Sequence, residues 1–251
     1  MSDLFTRPQL KAGSLRRGLS PTLWNQPPLA QHAVGGLDQG FGYRTDFLSF
    51  TDTHEWVLTQ ATAGTVAPDV AAIGGAVLLD CNSTTNNQGV QIQLGGAVGA
   101  ASFIASANSK IYFEARVKIA DIGSTTCQMF AGLAIVDTSV FASAANSTAN
   151  HIGFEAINTT AMGIHSEKAG TRSSTAAVHT VVDDAYVKLG FLVDGLTKIT
   201  PFVNGAAKTA ITTNIPIVAM TPSFVCHSSG TTDPIVHVDW IACFQEESIA
   251  N

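Results

Sequence analysis

Residues 110–119, KIYFEARVKI, constrain the fold more than any other stretch of this chain. Ile111, Phe113, Ala115, Val117 and Ile119 fall on one parity, and Tyr112, Glu114, Arg116 and Lys118 on the other. Successive side chains of a β-strand point to opposite faces, so the alternation predicts a strand with one face in a core. On a helix the same apolar residues would be scattered around the circumference. The charged parity is expected to be wet or paired with neighbouring strands. This is one wall of a β-sandwich.

The same pattern recurs along the chain. Strands are expected at 47–50, 56–60, 75–80, 90–94, 128–137, 151–157, 162–167, 178–182, 186–194, 198–204, 223–227 and 235–244. Residues 128–137 are apolar on both parities, as in a strand covered on both sides. Asp194 with Gly195, and Asn204 with Gly205, are hairpin turn signals. In the last strand Val236, Val238, Trp240, Ala242 and Phe244 are expected to face inward. Residues 138–150, rich in Ala, Ser, Thr and Asn, read as a loop carrying a short helix. With no amphipathic helix in view, the fold class is all-β, a two-sheet antiparallel jelly-roll sandwich.

Residues 1–45 differ from the rest. Pro8, Pro21, Pro27 and Pro28 alternate with several glycines, which argues against a long helix or a central strand. Yet Leu4, Phe5, Leu15, Leu19, Leu23 and Trp24 are more large apolar residues than a solvated tail carries. The division expected is an extended N-terminal arm at 1–45 and a sandwich at 46–251. Charge follows the same division. Residues 1–44 hold five positive and two negative side chains, a net of +3, and the remainder holds eight and seventeen, a net of −9. A basic arm on an acidic body suits contact with an acidic surface.

Only 13% of the 251 residues are charged, about half the usual share. So neutral a surface suits packing against copies of itself or a large partner, and no basic stripe offers itself to nucleic acid. No apolar run reaches the ~18 residues of a membrane span, and the first ten residues lack a signal-peptide core. Cys81, Cys127, Cys226 and Cys243 show no CxxC spacing. They are expected to be free thiols, which suits a reducing cytosol.

The strand sequences in order also carry a resemblance. KIYFEARVKI, FAGLAIVD at 130–137, VKLGFLVDG and KITPFVNG within 187–205, and TPSFV to VHVDWIACFQE within 221–246 resemble a group of tailed-bacteriophage head proteins with a concanavalin A-like, or laminin-G-like, jelly-roll sandwich. The likeness covers residues 46–246 and lies in strand patterns, with no catalytic signature. It implies a virion structural protein, a decoration (cement) protein on the outer surface of the capsid, assembled in the host cytoplasm. Such proteins commonly sit as trimers and grip neighbours with a terminal arm. The partners implied are the major capsid protein and other copies of the chain, with a homotrimer expected. Leu4, Phe5, Arg7, Arg16, Arg17, Leu19, Leu23 and Trp24 are the candidate partner-binding residues, since buried aromatics and arginines dominate such interfaces.

The sandwich also hosts hydrolases and lectins, so the residues must be weighed for chemistry. A retaining glycosidase needs two carboxylates about 5 Å apart. An acid–x–acid run on one strand would supply them, but Glu114 is followed at its parity by Arg116, and Glu155 by Ile157. Asp183 and Asp184 read as a turn. The seven histidines are dispersed, His237 and Asp239 share a face as a surface pair, and no GxSxG or HExxH occurs. No catalytic, metal or cofactor site is therefore expected, and the chain is expected not to be an enzyme. The alternative is a lectin-like module of a virion or tail fibre that binds host glycan, with Asp137, Asn204 and Asp233 as loop candidates.

Overall fold

The alternating stretch forms β6 (Lys110–Ala120), with every second residue from Ile111 to Ile119 in the core. The computed structural model describes residues 19–24, 40–50, 55–61, 64–86, 88–95, 103–122, 127–137, 141–142, 145–146, 149–230 and 232–246. One sheet has the order β15 (Ala206–Ala207), β14 (Lys198–Val203), β13 (Val187–Asp194), β6, β17 (Ile235–Glu246), β4 (Val77–Asp80) and β3 (Thr65–Pro68). An eighth strand, β1 (Gly40–Thr45), pairs with the C-terminal half of β17, while β4 pairs with its N-terminal half. The second sheet runs β12 (Thr171–Thr180), β11 (Ala161–Lys168), β10 (His151–Thr159), β7 (Cys127–Ala134), β16 (Thr221–His227), β5 (Gly89–Leu94) and β2 (Trp56–Ala61). Ladders in both sheets are antiparallel, so the two-sheet sandwich expected from the pattern is the fold observed.

The main core lies between the sheets. Phe113 stacks on Phe191 at 4.8 Å, and Phe224 and Phe154 close on them from the facing sheet. Strand β7 is covered on both sides, as its double apolar parity requires. Met129, Ala131 and Leu133 enter the main core, while Phe130 and Ala134 form an outer cluster with Val225. Among the described residues, Cys81, Cys226 and Cys243 are buried free thiols.

Four expectations need correction. Residues 40–45, assigned to the arm, are a strand of the sandwich. Phe41 and Tyr43 pack on the core, and Gly40 is needed because a Cβ there would lie 2.1 Å from the Gln245 carbonyl. Residues 47–50 form no strand, since Phe47 turns into the core with φ 51° and rests on Trp56. Within 138–150, the described residues hold no helix but a small hairpin, β8 (Phe141–Ala142) with β9 (Ala145–Asn146). The fourth lies in β17. Between Val238 and Trp240 the register against β6 slips by one residue. A bulge of this kind inverts the facing of everything beyond it. Val236 and Val238 point into the core, then Ile241 and Cys243 do, and Trp240, Ala242 and Phe244 turn to the outer face. The extra residue, Asp239, reaches Arg116 at 2.6 Å, and the Arg116 guanidinium lies 3.7 Å over the Tyr186 ring.

Candidate functional site

The outer face of the seven-stranded sheet carries polar side chains that the fold has nonetheless buried. Antiparallel register aligns them in rows across the strands. One row runs Thr221, Ala134, His151, Glu167, Arg172, and another runs Gln91, Val225, Phe130, Glu155, Gly163. Between them lies a row with two glycines, Ser223, Gly132, Gly153, His165. Four residues of extended chain normally hold side chains ~13 Å apart at their roots. His151 and Glu155 nevertheless meet at 2.7 Å, because Gly153 between them has no side chain to keep them upright. The Phe130 ring occupies the vacant place, 2.5 Å from where a Gly153 Cβ would stand, and lies edge-on to His151.

His151 Nδ1 lies 2.7 Å from the Ala149 carbonyl, which can only accept, so Nδ1 is the donor there. Nε2 faces the Glu155 carboxylate in a contact without good hydrogen-bond alignment. On its other side Glu155 meets Arg172 at 3.1 Å, and the same guanidinium binds Glu167 at 3.1 Å and His165 Nδ1 at 2.9 Å. Arg172 can only donate, so His165 Nδ1 accepts and its Nε2–H points toward Glu155, 4.0 Å away. Burial works to raise the Glu155 carboxyl, but pairing with His151 and the positive charge of Arg172 outweigh it and hold the group below its ordinary value. Burial depresses His165, which stays a neutral ring. Gly163 makes room for that ring, since a Cβ would lie 2.9 Å from Nε2. A cleft of about 270 Å³ opens beside these groups, lined by Glu155, His165, Ile157, Thr159 and Ala176. It pairs one ionised carboxylate with one neutral imidazole, the equipment to bind hydroxyls or to move a proton.

The arm candidates divide. Leu4, Phe5, Arg7, Arg16 and Arg17 lie outside the described residues. Leu19, Leu23 and Trp24 are brought together on the chain's own sandwich. Helical turn α1 (Pro21–Trp24) sits on the outer face of the eight-stranded sheet, with Leu23 and Trp24 sealed against Tyr112, Leu192, Phe202, Trp240 and Phe244. Both the Ser20 amide and the Trp24 indole N–H donate to Glu114 Oε2, each at 2.9 Å. Glu114, expected to be wet, is buried here, and burial is the main cause that raises its carboxyl above the ordinary value. Leu23 and Trp24 are thus engaged within the subunit, and the contact was legible only as an excess of apolar residues near Pro21.

Other candidates prove to be turn builders. Asn204 stands at φ 50° and accepts the Lys188 amide, and Asp233 accepts the Ser83 amide and the Cys81 thiol. Asp137 exchanges backbone bonds with Gln91 and Gln93. His237 and Asp239 do not pair with each other. The bulge separates them, and His237 meets Asp69 at 3.2 Å. The Glu155 constellation escaped the sequence reading because acids were sought on one strand at i+2. The signal was HxGxE at 151–155, alternating with Ile152 and Phe154.

No protein-family model matches this chain, and no curated protein does. Many solved structures share its fold. A protein of unknown function from Shewanella oneidensis MR-1 matches with TM-score 0.59 and 12% identity over 85% of this chain and 89% of that one. A prokaryotic β-1,3-1,4-glucanase (lichenase) derived from a mouse hindgut metagenome matches at 0.53 and 12%, over 83% and 99%. Peanut lectin matches at 0.53 and 13%, over 84% and 99%. Several further matches are glycoside hydrolases. The expectation that this chain is not an enzyme is overturned by these neighbours: a fold shared with so many glycoside hydrolases cannot carry the exclusion. At these identities the likeness establishes the fold, a two-sheet jelly roll of the lectin and glucanase type.

Proposed function

We propose that this chain is a virion structural protein, a decoration protein that binds the outside of a phage head through its sandwich and its N-terminal arm. The observation that carries the reading is the seating of residues 19–24 on Glu114, which ties the body to a segment bearing Arg7, Arg16 and Arg17. The resemblance in strand sequence and the low charge of the body support it. So do Leu48, Val70 and Ile73, large apolar side chains that are each at least 79% exposed. A protein that binds only the assembled shell stabilises it by mass action. Heads lacking the protein, mixed with increasing amounts of it and sedimented, should take it up to saturation and should melt at a higher temperature. Absent or unsaturable uptake would contradict the reading.

A second reading is favoured by the cleft at Glu155. There the protein would be carbohydrate-active, with sugar hydroxyls meeting Glu155 and His165. A glycan array read together with release of reducing ends tests both binding and turnover. Signals that Glu155→Gln leaves unchanged would count against this site.

A further inference from the structure

We propose that the cleft beside Glu155 selects a single terminal sugar that carries a methyl group, a 6-deoxyhexose or an N-acetylhexosamine. The inference rests on the carbohydrate reading of that cleft and names what the cleft would choose. The polar end makes one demand. Arg172 donates to His165 Nδ1, so the hydrogen of the ring is on Nε2. That atom stands over Gly163, 2.9 Å from where a Cβ would lie, and both residues line the cleft. Glu155 Oε2 is 4.0 Å from the same Nε2, too far for a hydrogen bond. One ligand hydroxyl ~2.8 Å from each bridges them, accepting from His165 and donating to Glu155. A ligand carboxylate can only accept and would meet the ionised Glu155 unpaired, so acidic sugars are turned away.

The rest of the cleft is small and apolar, lined by Ile157, Ala161, Ala176 and Ala177. Here β12 advances from Thr175 to His179 while β11 advances only from Ile164 to Met162, and Ala177 takes up extra length at φ 51°. Bulges re-aim side chains in this way beside sites. A hydroxyl set against these alanines would lose its water without gaining a partner, whereas a methyl group there gains by burial. The cleft measures about 270 Å³, under the ~300–1,000 Å³ of sites for drug-sized ligands. It suits one ring. Behind the polar end the buried His151 and Glu167 fill the sheet face, so a sugar chain cannot continue that way. The residue recognised is therefore a terminal one.

Saturation-transfer NMR on the full-length chain tests this with L-fucose against L-galactose, N-acetylglucosamine against glucose, and glucuronic acid. One methyl-bearing sugar should bind roughly tenfold tighter than its parent, the lower end for a methyl group in an apolar pocket. Its methyl protons should receive the strongest transfer, and the pair that responds tells a 6-deoxy group from an N-acetyl group. Glucuronic acid should not bind. Ala176 is exposed, so Ala176→Leu should fold as wild type does and should abolish the preference. His165→Ala should weaken binding about tenfold, as expected for one hydrogen bond. Equal binding of each methyl-bearing sugar and its parent, lost in His165→Ala, would overturn the inference and leave the carbohydrate reading standing. Binding of none of these sugars, with no signal on a glycan array, would remove that reading and the inference with it.

Discussion

The Trp24 indole N–H donates to Glu114 Oε2 across 2.9 Å, joining positions ninety residues apart in sequence. The bond turns a strand residue that alternation places on the wet face into a buried anchor. Its consequences are directional and can be measured.

Burial is what chiefly lifts the Glu114 carboxyl, so protonation favours the docked segment. Docking is then fully supported below the ordinary carboxylate range and loses support as pH rises through the lifted value. The emission difference between wild type and Trp24→Phe should move to the red as pH rises. Glu114→Gln keeps an acceptor for both donors and should flatten the response. A red shift on acidification would contradict the account.

Trp24→Ala should be cheaper than its burial suggests. Removing a large aromatic from a sealed core costs about 3–5 kcal/mol. Here the loss is capped by the free energy of local undocking, on the order of 1–2 kcal/mol, because the segment can leave without unfolding the sheets. Trp240→Ala, fixed in β17, should cost the full amount. Equal melting-temperature losses in the two variants would show that the segment is integral to the core.

Glu155→Gln should destabilise by about 1–3 kcal/mol, since it removes the buried carboxylate that meets His151 and Arg172, while Glu167 still pairs with Arg172. The Glu155 carboxyl is held below its ordinary value, so its stabilisation is present above that value and is lost as pH falls through the depressed one. This is opposite in sign to Glu114. Acid melts of wild type should show the loss, and the variant should lack it.

Cys81, Cys226 and Cys243 are buried, and burial raises the Cys243 thiol well above its ordinary value. A thiol reagent should label these three only after denaturation. Rapid labelling of any of them in the native protein would contradict the packing described.

Much of the fold was legible because alternation is a local signal. Strands β6, β10, β13 and β14 fall where their parities place them, and the Asn204–Gly205 turn forms as its sequence demands. What the pattern hides is non-local. Nothing in VHVDWIACF announces a bulge at Asp239, whose position is set by pairing with Arg116 across the ladder. Strand β1 was obscured by its glycines, of which Gly40 permits close approach to β17. The Glu155 cluster draws on three strands, and only register brings Arg172 to it.

Occupancy of phage heads by three forms of the protein tests the central claim most directly. Full-length chain, a chain lacking residues 1–18 but keeping the docked segment, and Trp24→Ala would each be bound to heads lacking the protein and quantified per shell. The account predicts full occupancy for the first, strong loss for the second despite an unchanged melting temperature, and partial loss for the third. Equal occupancy by all three would contradict attachment through the arm.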